Sequence, residues 1–211
     1  MPRLALVIAG LLAASLAARP AAADLFGQMG EARPLPVDGR LASAFLQFDK
    51  SSVSLLGQLR LSFYPNIDFG FQGGLSRIDV GGTSRTSVRV GADFKVLVAP
   101  ATPTLPVAFS LGGVLGIETA DSFTSFSIGP RVLGSWILRD STAWVPYAGA
   151  SLLFSRLDVG DQSKTDLSLP LRAGVDFRAS QDLHLLAELQ LNISDEIRDD
   201  VQVLVGANFP F

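Results

Sequence analysis

The chain has 211 residues, 48% of them hydrophobic and only 18% charged, with 20 glycines, one histidine, no cysteine and a formal net charge of −3. Low charge and a mean hydropathy of +0.35 exclude an intrinsically disordered chain, and the acidic balance argues against a nucleic-acid binder, which would carry a basic footprint. The lack of cysteine excludes a disulfide framework, a thiol nucleophile and cysteine-ligated zinc. With His184 as the single imidazole, no histidine-rich metal centre can form, and neither metal nor cofactor is expected.

Residues 1–23 read as a cleaved secretory signal peptide: Arg3 supplies the positive start, an uncharged apolar stretch follows, and Ala21-Ala22-Ala23 gives a small-residue cleavage site. The apolar part is too short to favour a membrane anchor, which needs about 20 residues. Residues 24–40, with Pro34 and Pro36, lack strand periodicity and are expected to form an N-terminal tail. One longer uncharged run, residues 96–117, is broken by Pro100, Pro103 and Pro106. Each proline would cost about 3 kcal/mol in a helix interior, so the run reads as two strands and a turn.

From residue 41 onward the pattern has period two, the signature of strands. Ala42, Ala44, Leu46 and Phe48 oppose Ser43, Gln47 and Asp49. Leu55, Leu59 and Leu61 oppose Gln58, Arg60 and Ser62, and Phe69, Phe71 and Leu75 oppose Asp68, Gln72 and Ser76. Val88, Val90 and Phe94 oppose Arg89, Asp93 and Lys95. The alternation continues in the same way to Val203, Val205, Phe209 and Phe211. Ten strands result, or eight if the first hairpin is irregular. Both counts are even, as expected of a bacterial transmembrane barrel. Pro130 and Pro170 fall inside predicted strands, where each removes a ladder hydrogen bond; bulges are expected there. Alternate connections read as compact turns. The intervening ones, at 79–86, 119–122, 157–166 and 194–200, read as longer and more acidic.

A soluble barrel would also alternate, with its apolar face inward. Here the polar faces are rich in Gly and Ser, which suit a narrow interior. The strands, about 9 to 14 residues long, can cross a bilayer at a tilt. Aromatics such as Phe63, Tyr64, Trp136, Trp144 and Phe177 stand beside one set of turns, as in an interfacial girdle. The fold expected is therefore all-β: a single closed, antiparallel, up-and-down transmembrane β-barrel over residues 41–211. Gly206, Phe209 and Phe211 stand in a glycine-x-x-aromatic-x-aromatic spacing, with Leu204 where a polar residue is usual. In this the chain resembles the small outer-membrane β-barrel proteins of Gram-negative bacteria. The resemblance implies localisation in the cell outer membrane, insertion by the barrel-assembly machinery, an insertion signal at Gly206, Phe209 and Phe211, and both termini in the periplasm. Outer-membrane lipids are then the expected partners of a monomer, with no nucleic acid among them.

The inward faces collect Arg60, Arg89, Lys95, Arg131, Arg172 and Arg178 against Asp68, Asp93, Glu118, Asp176 and Glu188. Opposite signs in a narrow, dry space should pair, because an isolated buried charge is too costly. Arg89, Arg131 and Arg172 are the expected partners of Asp93, Asp176 and Glu188. A lumen filled in this way indicates a non-enzymatic protein with a structural or surface-interaction role; the alternative is a narrow, porin-like transporter of small or apolar solutes. His184 lies in no catalytic motif, and there is no Gly-x-Ser-x-Gly elbow. The acidic connections are expected to form a solvated outer rim, with Asp195, Glu196, Asp199 and Asp200 the densest group and a weak cation site the sharper possibility.

Overall fold

Alternating apolar and polar side chains require a sheet with two unlike faces, and the computed structural model builds the strands into one antiparallel sheet. It describes residues 30–50, 52–80, 83–121, 123–138, 143–160, 162–194 and 200–211; the expected signal peptide lies outside them. The strands are β1 (Arg40–Phe48), β2 (Ser52–Tyr64), β3 (Ile67–Val80), β4 (Thr83–Ala99), β5 (Val107–Ala120), β6 (Phe123–Trp136), β7 (Trp144–Ser151), β8 (Leu153–Val159), β9 (Gln162–Arg178), β10 (His184–Ser194) and β11 (Asp200–Pro210). Pairing of β1 with β11, Ala44 opposite Ala207, closes the sheet.

Strands β7 and β8 are two halves of one barrel strand. Both lie between β6 and β9 and keep one register on each side. Arg131 opposite Ser151 continues as Ile128 opposite Phe154. Ala150 opposite Leu171 continues as Leu153 opposite Ser168. The barrel therefore has ten strands. The interruption at Leu152 falls where Pro130 and Pro170 flank the strand. The Leu152 N–H reaches the Pro130 carbonyl at 3.0 Å, but proline has no N–H to return. The prolines thus notch the ladder without shifting it, and the expected bulges are corrected to an unbroken register.

Tracing the registers once around the sheet returns to β1 displaced by about 12 residues, a stagger that tilts ten strands by about 40°. Such curvature needs missing side chains at a few close approaches. A Cβ on inward-facing Gly129 would overlap the Leu152 carbonyl, and one on Gly206 would overlap the Phe45 ring and the Ala44 carbonyl.

The two faces are inverted relative to a soluble barrel. Outward Leu55 is 59% exposed and Phe71 52%, whereas inward Arg89 is 2% exposed and Asp68 0%. Only a lipid surround accommodates a continuous belt of this kind, since soluble monomers rarely expose apolar patches beyond a few hundred Å². Trp136, Trp144, Tyr64 and Phe211 are exposed around the end that carries residues 30–40 and Phe211, hereafter the terminal end, and Trp144 packs tilted against Phe177 with ring centroids 4.5 Å apart. The proline-broken run resolves into the end of β4, a connection, and β5.

The lengths of most connections depart from expectation. At the end away from the termini, β3 runs to Val80 and β4 starts at Thr83; β8 runs to Val159 and β9 starts at Gln162. The supposed loops 79–86 and 157–166 are thus mostly strand, and Asp166 is buried in the lumen. Connections of five or more residues lie at the terminal end between Ala99 and Val107, Trp136 and Trp144, and Arg178 and His184, and at the other end between Ser194 and Asp200. Strands β4 and β9 have 17 residues each. This is more than a bilayer crossing needs, so their hairpins project beyond the apolar belt as paired strands with water on both faces.

Candidate functional site

The lumen is filled by side chains at three places. In the half nearer the termini, Asp93 on β4 accepts from Arg60 on β2 at 2.8 Å, from Arg131 on β6 at 2.6 Å and from Gln72 on β3 at 3.0 Å. Arg60 also pairs with Asp68, which lies 3.4 Å from Lys95 Nζ. Toward the other end, Arg89 stands 3.7 Å from Glu118 and donates to Gln47 at 3.0 Å. Ser87 donates to Glu118, and Gln47 to Gln202. On the wall formed by β7, β9 and β10, the Tyr147 hydroxyl donates to Glu188 at 2.7 Å, with Arg172 3.9 Å away. These cations and carboxylates are almost wholly withdrawn from solvent. Removing one partner of such a pair leaves an uncompensated charge and costs about 3–5 kcal/mol.

The structure thus places Arg131 with Asp93 and Arg172 with Glu188. Asp176 meets none of the three arginines assigned to it from the sequence. Its neighbour is His184, whose Nδ1 lies 3.4 Å from Asp176 Oδ1. Arg89 instead faces Glu118, one row further along the barrel.

Two features escape the sequence reading. The lumen has an apolar cluster of Phe45, Leu56, Tyr147, Leu186 and Leu204. Phe45 stands between inward Ser43 and Gln47, Leu56 between Ser54 and Gln58, and Leu204 between Gln202 and Gly206; their places on otherwise polar faces were the available signal. Leu204, the departure from the terminal motif, fills this cluster, while Phe209 and Phe211 point outward, 45% and 68% exposed.

The second feature is the N-terminal segment. Residues 31–36, expected as part of a tail, enter the barrel mouth. Lys95 Nζ donates to the Glu31 and Arg33 carbonyls, each at 2.8 Å. Ser110 donates to the Ala32 carbonyl, and the Leu35 N–H donates to Asp68 at 3.0 Å. Arg178 donates to Glu31 at 2.5 Å. Ala32 is fully buried. Nearly all these contacts read backbone groups, so no side-chain pattern announces them.

Among the described residues no three His, Asp or Glu side chains gather into a metal site. The acidic group at Asp195, Glu196 and Asp199 lies outside the described residues.

No protein-family model and no curated protein matches the chain. Solved structures do. An outer-membrane channel from Pseudomonas putida F1 aligns with a TM-score of 0.54 at 10% identity, over 88% of this chain and 100% of that one. The N-terminal β-barrel domain of Pseudomonas aeruginosa OprF aligns at 0.39 and 10%, over 83% and 98%. Neisserial surface protein A aligns at 0.37 and 16%, over 82% and 94%. The fold is that of Gram-negative outer-membrane β-barrels.

Proposed function

We propose that this chain is a monomeric, non-enzymatic outer-membrane barrel with a sealed lumen, serving the envelope as a structural or surface-interaction protein. The observation that carries the reading is the double closure. The Arg60–Asp93–Arg131 bridge links three strands across the interior, and the segment 31–36 fills the mouth below it. Interiors of small barrels are filled by side chains, whereas open porins use 16 to 18 strands. In this reading a signal peptide over 1–23 directs export, and Gly206, Phe209 and Phe211 direct insertion by the assembly machinery. The hairpin tips of β3–β4 and β8–β9 then form the surface available to partners.

A second reading, a narrow transporter, draws support from the likeness to the Pseudomonas putida channel. Planar-bilayer recording separates the two. The sealed barrel gives no steady conductance, either intact or with residues 24–38 deleted, because the ion-pair layer still closes it. Steady conductance from the intact chain would establish the transporter.

A further inference from the structure

Between the N-terminal segment and strands β9, β10, β11 and β1 lies a cavity of about 380 Å³ at the terminal end of the barrel. Its charges are unevenly matched. Glu31 is shared by two guanidiniums, Arg33 at 2.7 Å and Arg178 at 2.5 Å. Asp68 is shared by Arg60 and Lys95. The lining therefore holds more lysines and arginines than carboxylates. The lining also presents a carboxylate that forms no ion pair with a lysine or arginine: Asp176, 2% exposed, has an Oδ1 without a hydrogen-bond donor. His184 Nδ1 lies 3.4 Å away. Asn208, two strands along and 3% exposed, also has an Oδ1 without a donor, and Arg178 Nε has no acceptor. Leaving such buried atoms unmet is unfavourable. Pro34, Leu35, Pro36 and Leu41 supply apolar wall.

We infer that this cavity is a binding site for a small zwitterion of amino-acid or dipeptide size. Its ammonium group is received by Asp176 and Asn208, and its carboxylate by the shared guanidiniums of Arg33 and Arg178. An ammonium brings donors to the two idle oxygens and a counter-charge to Asp176. A carboxylate lets Arg178 and Arg33 stop sharing a single anion. Neither pole alone meets both demands. The side chain or peptide unit between them lies on the proline and leucine wall. The cavity borders the ion-pair layer through Arg60 and Asp68, and the inference stands whether or not the lumen conducts.

The test is calorimetric titration of the purified full chain, folded in detergent, with L-alanyl-L-alanine. Parallel titrations use its N-acetylated and its C-amidated forms, each lacking one charge. Saturable binding of the dipeptide is expected, weakened at least tenfold by either cap. Asp176→Asn, nearly isosteric, should reproduce the loss caused by N-acetylation, and Arg178→Gln that caused by amidation. Heat-modifiable gel migration verifies that each variant is folded. Absence of saturable binding overturns the inference. So does equal binding of the capped forms, a comparison that needs no variant.

Discussion

Pro130 and Pro170 face the same interrupted point of the barrel wall from opposite sides. Pro130 on β6 stands opposite Leu152, and Pro170 on β9 opposite the adjoining Ser151. Hydrogen-bonded pairs alternate in an antiparallel ladder, so two consecutive carbonyls, one directed to each neighbour, lose their ladder donors. Pro130 points to lipid and Pro170 is buried in the lumen. Replacing outward Pro130 with valine restores one N–H without disturbing the interior. Pro130→Val should raise stability by about 1 kcal/mol, read from the urea midpoint in lipid vesicles. A lowered midpoint would mean that the notch is needed for the local bend.

The inverted faces give the sharpest mutational contrast. Leu59 and Phe94 point outward, 39% and 44% exposed, while neighbouring Arg60 and Asp93 are buried in the lumen. Leu59→Arg or Phe94→Arg should cost about 2–4 kcal/mol near the bilayer midplane. Spin labels at 59 and 94 should be quenched by lipid-soluble oxygen, and labels at 60 and 93 should not.

Gly206 has a packing reason for being glycine, apart from any signal: a Cβ there would overlap the Phe45 ring and the Ala44 carbonyl. Gly206→Ala should therefore slow folding of purified protein into detergent, with partial rescue by Phe45→Leu. Deletion of Phe211, which is exposed at the chain end, should leave that folding unchanged and reduce the amount recovered in the outer membrane. Normal membrane recovery of the deletion would remove the case for a terminal insertion signal.

Lys95 holds the N-terminal segment by two carbonyls, those of Glu31 and Arg33. Lys95→Met keeps the length of the side chain and removes both donors. Exchange of the Leu35 amide, which donates to Asp68, should then accelerate about tenfold or more, the loss expected for a charge-assisted hydrogen bond. Unchanged exchange would show that Ser110 and Arg178 suffice to seat the segment.

Strand identity and facing were legible because lipid outside and packed side chains inside impose opposite chemistry on alternate residues. That signal fades where both faces meet water. Arg77 and Ser84, hydrogen-bonded at 2.6 Å across β3 and β4, looked like loop flanks and are ladder. Phe45 and Leu56 were overlooked for the converse reason, being apolar residues on the inner face. The signs of the lumen charges could be read, but not all their partners. Whether Asp176 meets Arg172 or His184 depends on height along a tilted barrel, which period two does not encode.

The seat of residues 31–36 is assembled from distant parts of the chain: Asp68 on β3, Lys95 on β4, Ser110 on β5 and Arg178 on β9. The segment leads directly into β1, which pairs with β11, and the Phe211 N–H closes onto the Arg40 carbonyl at 3.1 Å. Docking of residues 31–36 thereby depends on strands from both halves of the sheet. A barrel that lacks β9 loses the Arg178 contact to Glu31, so the seating of one short peptide registers whether distant strands have met.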